Sequence, residues 1–265
     1  MPDAPFEPTR PPDATALDAR CRRSSPGVAL WAALAAALLW VAMAAPWLAG
    51  KVYTRDDLGA YHLPTRVFYA EQLGRGEPFD WMPSLYCGFY LTGEGQAGTY
   101  HPLHWALYRY LPLPAAAGLE WLLSYPFLFA GTWLWLRRWL RRDDGAAFGA
   151  LLFTFSGFNL VHFFHPNAVA VVAHIPWLLW AIDVVVRDKR PGRVRGALAA
   201  VALLTGSQVL LGYPQYVWFS LLAEGTYAGF LLSATRCKGC GGRSDTGVSA
   251  GSAGSLGRVC RWLLI

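Results

Sequence analysis

The chain has 265 residues, of which 54% are hydrophobic and only 15% charged, with 13 Trp, 12 Tyr and 14 Phe, a net charge of +6 and a mean hydropathy of +0.27. A soluble globular chain is about 45–50% apolar and about 25% charged, so much of this surface is expected to face something other than water. The same values exclude a disordered chain, a disulfide scaffold and a collagen-like repeat.

A polar, Pro-rich leader, residues 1–26, precedes the first apolar run, 27–49, which carries no charge. That run meets the roughly 20 residues needed to cross a bilayer core. Its length and its distance from the N-terminus separate it from a cleaved signal peptide. Residues 50–114 lack such a run and form a long loop. Further apolar runs follow at 115–136, 146–164, 168–186, 196–212 and 215–233. The expected fold is therefore an all-α polytopic membrane protein with about six spans. Tight turns fall at His165-Pro166-Asn167 and Tyr213-Pro214, because proline punctuates helix ends. Residues 234–265 are rich in Gly, Ser and Ala and read as a disordered tail.

Basic residues accumulate on the cytoplasmic side of short connections. Eighteen of the 23 fall in the leader, between spans two and three, between spans four and five, or in the tail; only Lys51, Arg55, Arg66, Arg75 and Arg109 lie in the long loop. The N-terminus is thus expected in the cytoplasm and the long loop outside. The positive charge reflects topology and anionic lipid contact, with no stripe or motif for nucleic acid. Four cysteines fall on the reducing side and only Cys87 outside, which argues against an internal disulfide.

The loop holds six of the 17 acids, Asp56, Asp57, Glu71, Glu77, Asp80 and Glu94, together with His62, His101 and His104. Asp56-Asp57 lies a few residues beyond the first span, where a carboxylate can meet a substrate whose tail is still in lipid. The alternative is a solvated pair that caps the following helix. Residues 58–73 read as an interfacial helix, bent or restarted at Pro64. From Gly74 to Pro102, six glycines and three prolines interleave with Trp81, Tyr86, Phe89, Tyr90 and Tyr100. This suits either an ordered sugar-binding loop or an aromatic belt at the membrane surface.

Within the spans, Glu120 and Asp183 are expected near span ends, where snorkelling suffices. Glu224 is the deepest acid and must face the bundle or a polar cleft, as a structural hydrogen bond or as a cleft lining. His162 and His165 share a helix face and form either half a metal site or backbone-bonded histidines. Cys237-x-x-Cys240, with Cys260, is short of the four ligands structural zinc takes.

The residues Asp57-Leu58, Tyr61, Pro64, Leu73-Gly74-x-Gly76-x-Pro78, Trp81-x-Pro83, Gly88, Gln96, Tyr100-His101-Pro102 and Leu111-Pro112 resemble the start of the bacterial YfhO membrane protein family. That family lies within the glycosyltransferase C superfamily. Phe153 to Phe158 and Pro176-Trp177-Leu178-Leu179 also resemble its third and fourth spans. The resemblance covers the N-terminal portion of the family's longer members. It implies transfer of a sugar from a polyprenyl-phosphate donor to a cell-envelope glycan or polymer on the outer face of the bacterial inner membrane. Asp57, with its neighbour Asp56, matches the acidic position and would serve as general base, help worth about 10²–10⁴-fold. Arg55 and Arg66 are the nearest cations for the leaving phosphate; a divalent metal is the alternative. Tyr61, His62, Trp81, Glu94, Gln96, Tyr100, His101 and Glu224 are the further candidates for substrate contact. Two other readings stand beside this one: a transporter or flippase for a lipid-linked or polar substrate, and a non-catalytic fragment.

Overall fold

The fold is taken from a computed structural model that describes residues 26–140 and 142–240, with side chains for 27–140 and 142–235. The leader, the tail beyond Cys240 and the cysteine side chains of the zinc reading lie outside the described residues. The chain is an all-α polytopic membrane protein, with six segments among the described residues long and apolar enough to cross a bilayer. Helix α1 is Pro26–Leu48. A π-helical turn, Leu58–His62, runs into α2, Leu63–Arg75. A two-stranded antiparallel pair follows, β1 (Trp81–Met82) and β2 (Phe89–Tyr90), and then α3, Pro102–Tyr110. The remaining helices are α4 (Leu113–Leu140), α5 (Asp143–Thr154), α6 (Gly157–Val161), α7 (Pro166–Arg187), α8 (Pro191–Leu211) and α9 (Pro214–Cys240).

Helix α7 is the axis of the bundle, packed against α4, α8 and α9, while α1 packs on α5 and α4. About 61% of its most apolar stretch is buried, against 17% for α1 and α8, so those two present most of their surface to lipid. Small residues permit the close approaches that hold helices together where water offers no driving force. A Cβ on Gly131 of α4 would sit 2.4 Å from the Trp177 ring of α7. Pro126 interrupts α4 and cannot bond the Leu122 carbonyl one turn back; Trp40 Nε1 of α1 donates to that oxygen instead, at 2.9 Å. The break thus becomes an interhelical contact rather than an unpaired group in hydrocarbon.

The third span departs from the expected single helix over 146–164. It breaks after Thr154, continues through α6 and ends in a 3₁₀ turn, His162–Phe164. Asn159 makes the break tenable: its side-chain amide donates to the Phe153 carbonyl at 2.7 Å, and its own carbonyl accepts from Tyr125 Oη at 2.9 Å. The last helix continues to Cys240, past the expected end at 233.

The long loop is a folded cap. Pro64 lies in the first turn of α2, directly after the π-helical turn, which is the restart expected there. The α2 and α3 helices share a small core of Tyr69, Leu73, Leu107 and Tyr108, joined by Ala116 of α4. Helix α3 was not expected from the sequence.

Candidate functional site

The cap is fastened to the bundle by a buried charge pair. Arg66 of α2 donates through Nε to Glu120 Oε2 at 2.9 Å and through Nη2 to Oε1, and Nη1 donates to the Ala97 carbonyl at 2.6 Å. Tyr108 donates to the same carboxylate. Both charged side chains are about 95% buried. Burial opposes the charge on Arg66, but Glu120 outweighs it and holds the guanidinium firmly protonated. Arg66 is therefore spent inside the protein, which corrects its expected role as a surface cation for phosphate. Glu120 is likewise no snorkelling acid but the counter-charge of the cap. His104 donates Nδ1–H to the Gly98 carbonyl at 2.9 Å and stands 3.5 Å from Glu120.

At the same end of the bundle, a polar rim runs around the meeting point of cap and helices. Asp57, exposed just before the π-helical turn, accepts from His165 Nε2 at 3.2 Å. His165 occupies the N-terminal cap of α7, where Pro166 starts the helix. Its ring lies 5.8 Å from that of His162, whose Nε2 is 3.1 Å from Tyr216 Oη on α9. Tyr216 packs on Tyr213, whose amide donates to the Gly95 carbonyl at 2.8 Å. Glu94 closes the circuit, accepting from Tyr61 Oη and from the Gln96 amide, each at 2.8 Å. Tyr61 stands one helical turn from Asp57. A shallow cavity of about 160 Å³ lies between Glu94, Gln96, Tyr213, Pro214 and Gln215. Asn167 Nδ2 donates to the Gln96 carbonyl at 3.2 Å and ties the rim to α7.

Burial pushes the Tyr61 hydroxyl up, assisted by Glu94, and holds it protonated as the donor of that bond. Burial, with help from Arg66, pushes His62 down to about 3. His62 is thus neutral, packed between Tyr61 and Trp121. Arg55 and Asp56 are exposed beside Asp57, and Asp56 takes a left-handed backbone, φ 57°. Trp81 and Tyr100 are exposed on the cap, Tyr100 donating to Asp80 at 2.9 Å. His101 turns inward, its Nε2 2.9 Å from Ser207 on α8.

Glu224 belongs elsewhere. Gln208 Nε2 donates to Ser220 Oγ at 3.0 Å, and Ser220 donates to Glu224 Oε1 at 2.6 Å. That chain knits α8 to α9 about 15 Å along the helix from Pro214, at 1.5 Å per residue. It settles the two readings of Glu224 in favour of a structural bond and removes it from the rim. Asp183, at the far end of the bundle, is fully buried and paired with Arg138, Arg187 and Tyr227.

Among the described residues, no group of three or more His, Cys, Asp or Glu side chains is placed to hold a metal ion. His162 and His165 direct their Nε2 atoms to Tyr216 and Asp57 respectively, so the donor set for a divalent cation does not fit. The site therefore gathers Asp57, Glu94, Gln96 and Tyr61, adds His165, His162 and Tyr216, and leaves Arg66, His101 and Glu224 inside. The partnership of Asp57 with His165, 108 residues apart, has no signal in local spacing. No protein family, curated protein or solved structure matches the chain.

Proposed function

We propose that the chain is a membrane glycosyltransferase, or the N-terminal part of one, that moves a sugar from a polyprenyl-phosphate donor to an acceptor at the face carrying the cap. The observation that supports this reading is the Asp57–His165 pair: an exposed carboxylate, one oxygen held by an imidazole, at the helix ends where a lipid-anchored substrate would present its head. His165 orients Oδ2, leaving Oδ1 to take the acceptor's proton. The acceptor oxygen then bonds to the anomeric carbon as the bond from that carbon to the phosphate oxygen breaks. The configuration inverts, and the polyprenyl phosphate leaves with the bonding pair. Arg55, exposed two residues from Asp57, faces the developing phosphate charge now that Arg66 is committed to Glu120. Tyr61, Glu94 and Gln96 supply polar contacts for sugar hydroxyls, and the exposed rings of Trp81 and Tyr100 offer faces for stacking.

The test uses purified protein reconstituted with radiolabelled polyprenyl-phosphate hexoses and a bacterial cell-envelope glycan fraction as acceptor, and measures release of polyprenyl phosphate with transfer of the label to the acceptor. Asp57→Asn is expected to reduce release by about 10²–10⁴-fold while insertion and thermal stability stay unchanged. Undiminished release from the Asn variant would sink the proposal. Movement of the labelled lipid between leaflets, with no sugar transferred, would support the flippase reading instead.

A further inference from the structure

Helices α4 and α9 both pack on α7, and the gap between them is an open groove of about 580 Å³ in the half of the bundle away from the cap. Its floor is Leu179 of α7, and its walls are Trp135 of α4 and Leu222, Ala223 and Phe230 of α9. Leu222, Ala223 and Thr226 are exposed along it and stand in the middle of the 22-residue span Pro214–Thr235. At that depth the surrounding medium is hydrocarbon.

The groove ends on charge. Asp183 lies one turn beyond Leu179 on α7, about 6 Å at 1.5 Å per residue, and its carboxylate is fully buried. Arg138 Nε donates to Oδ1, while Arg187 Nη1 and Tyr227 Oη donate to Oδ2 at 3.1 and 3.0 Å. Tyr227 is itself a wall of the groove. Its oxygen accepts from Trp139 Nε1 at 2.8 Å and from Trp135 Nε1 at 3.1 Å, so its proton and both lone pairs are committed. The Arg187 guanidinium lies on the Trp139 ring, 4.2 Å from its centroid. Two guanidiniums therefore share one carboxylate, which leaves one positive charge in excess. Among the described residues, the other acids at this end, Asp143, Asp144 and Asp188, are held by Arg137, Arg142 and Arg193. The two arginine side chains are 25% and 27% exposed. Both Nη groups of Arg138, and Nε and Nη2 of Arg187, are without partners among the described residues, and none of these nitrogens is sealed inside the protein.

We propose that this end of the groove binds an anionic phospholipid, its phosphate diester on Arg138 and Arg187 and one acyl chain along Leu179, Leu222 and Phe230. A guanidinium offers a phosphate two parallel N–H donors, and the excess charge favours a headgroup of net negative charge. A zwitterionic headgroup brings an ammonium that finds no free carboxylate, since both oxygens of Asp183 are taken. The continuity of the arginines with an apolar groove at membrane depth selects a lipid over a soluble phosphate. The site lies at the opposite end of the bundle from Asp57 and does not rest on the sugar-transfer reading.

Photolabelling of the full chain in phosphatidylcholine nanodiscs tests this, with a phosphatidylglycerol and a phosphatidylcholine that carry the same diazirine acyl chain. Phosphatidylglycerol is expected to label the peptides around Trp135 and Leu222 about fivefold more, the worth of one basic residue at a lipid surface. Arg187→Gln leaves Arg138 and Asp183 as a balanced pair, so the chain should still fold while the preference disappears; Arg187→Lys should keep it. Arg190→Gln removes an exposed charge that does not touch Asp183 and should leave the preference intact. Ala223→Trp, at an exposed position, should fill the groove and lower labelling by both probes. Equal labelling by the two lipids, a preference that survives Arg187→Gln, or one lost equally in Arg190→Gln would overturn the proposal. Labelling indifferent to Ala223→Trp would overturn the path of the chain, and displacement of the probe by excess inorganic phosphate would overturn the lipid in favour of a soluble anion.

Discussion

Arg66 and Glu120 show how one residue pair decides what the cap can do. Removing one member of a buried pair leaves the other charged and unmatched, at a cost of about 3–5 kcal/mol, whereas replacing both with apolar residues is often neutral. Glu120→Gln is therefore expected to lower the thermal midpoint strongly, and the double variant Arg66→Met with Glu120→Leu to recover most of the loss; equal damage in single and double variants would refute the pairing. Two neutral histidines give the cap a pH response. His62 and His101 titrate near 6.5 in the unfolded chain but are pushed down to about 3 when folded, so the unfolded state binds more protons between those values. Their contribution is complete above about pH 6.5 and drains as pH falls toward 3. Thermal melts between pH 7.5 and 5 should show falling stability, with a shallower fall in the His62→Phe and His101→Phe double variant. A flat or rising midpoint on acidification would contradict this. Neither the neutrality nor the Arg66–Glu120 match was legible in the sequence, because it depends on partners 54 residues apart and on burial that composition does not reveal.

Among the elements, the six spans were legible because length and hydropathy suffice for a helix that must satisfy its own backbone in lipid. Their interruptions were not. The break after Thr154 depends on Asn159 and Tyr125, and nothing in the apolar run from 146 to 164 marks where the helix stops. Helix α3 was missed although His104, Leu107 and Tyr108 fall at the i, i+3, i+4 spacing of one buried face; eight residues between a proline and a Leu-Pro read more easily as part of an irregular aromatic loop. Packing between elements turns on small residues. Gly131→Val would drive a side chain into Trp177 and is expected to cost about 1–3 kcal/mol, with Trp177→Leu restoring part of it. If Gly131→Val melts as the wild type does, the proposed close approach of α4 and α7 is wrong.

Across the whole molecule, the rim and the cap lie at one end of the bundle and the Asp183 network at the other, and the outside is the side on which charge placement leads one to expect the cap. Cys87, exposed on the cap, makes that orientation measurable. In a chain keeping only this cysteine, a membrane-impermeant maleimide should label intact cells; labelling only after lysis would reverse the topology and remove the proposed function from the outer face. The site itself was half legible. Asp57, the polar loop and the turn at Gly212-Tyr213-Pro214-Gln215 stood out at one level of the bundle, but the pairings that complete the rim, Asp57 with His165 and His162 with Tyr216, are made only by the fold. The buried pair also sets an order of assembly. Synthesis delivers Arg66 54 residues ahead of Glu120, so the central cation of the cap is unmatched until α4 is made. The cap closes only when the second span has entered the bilayer. Nascent chains released before Glu120 should present a protease-sensitive cap, and chains released after the second span a resistant one, making the insertion of α4 the step that finishes a domain lying outside the membrane.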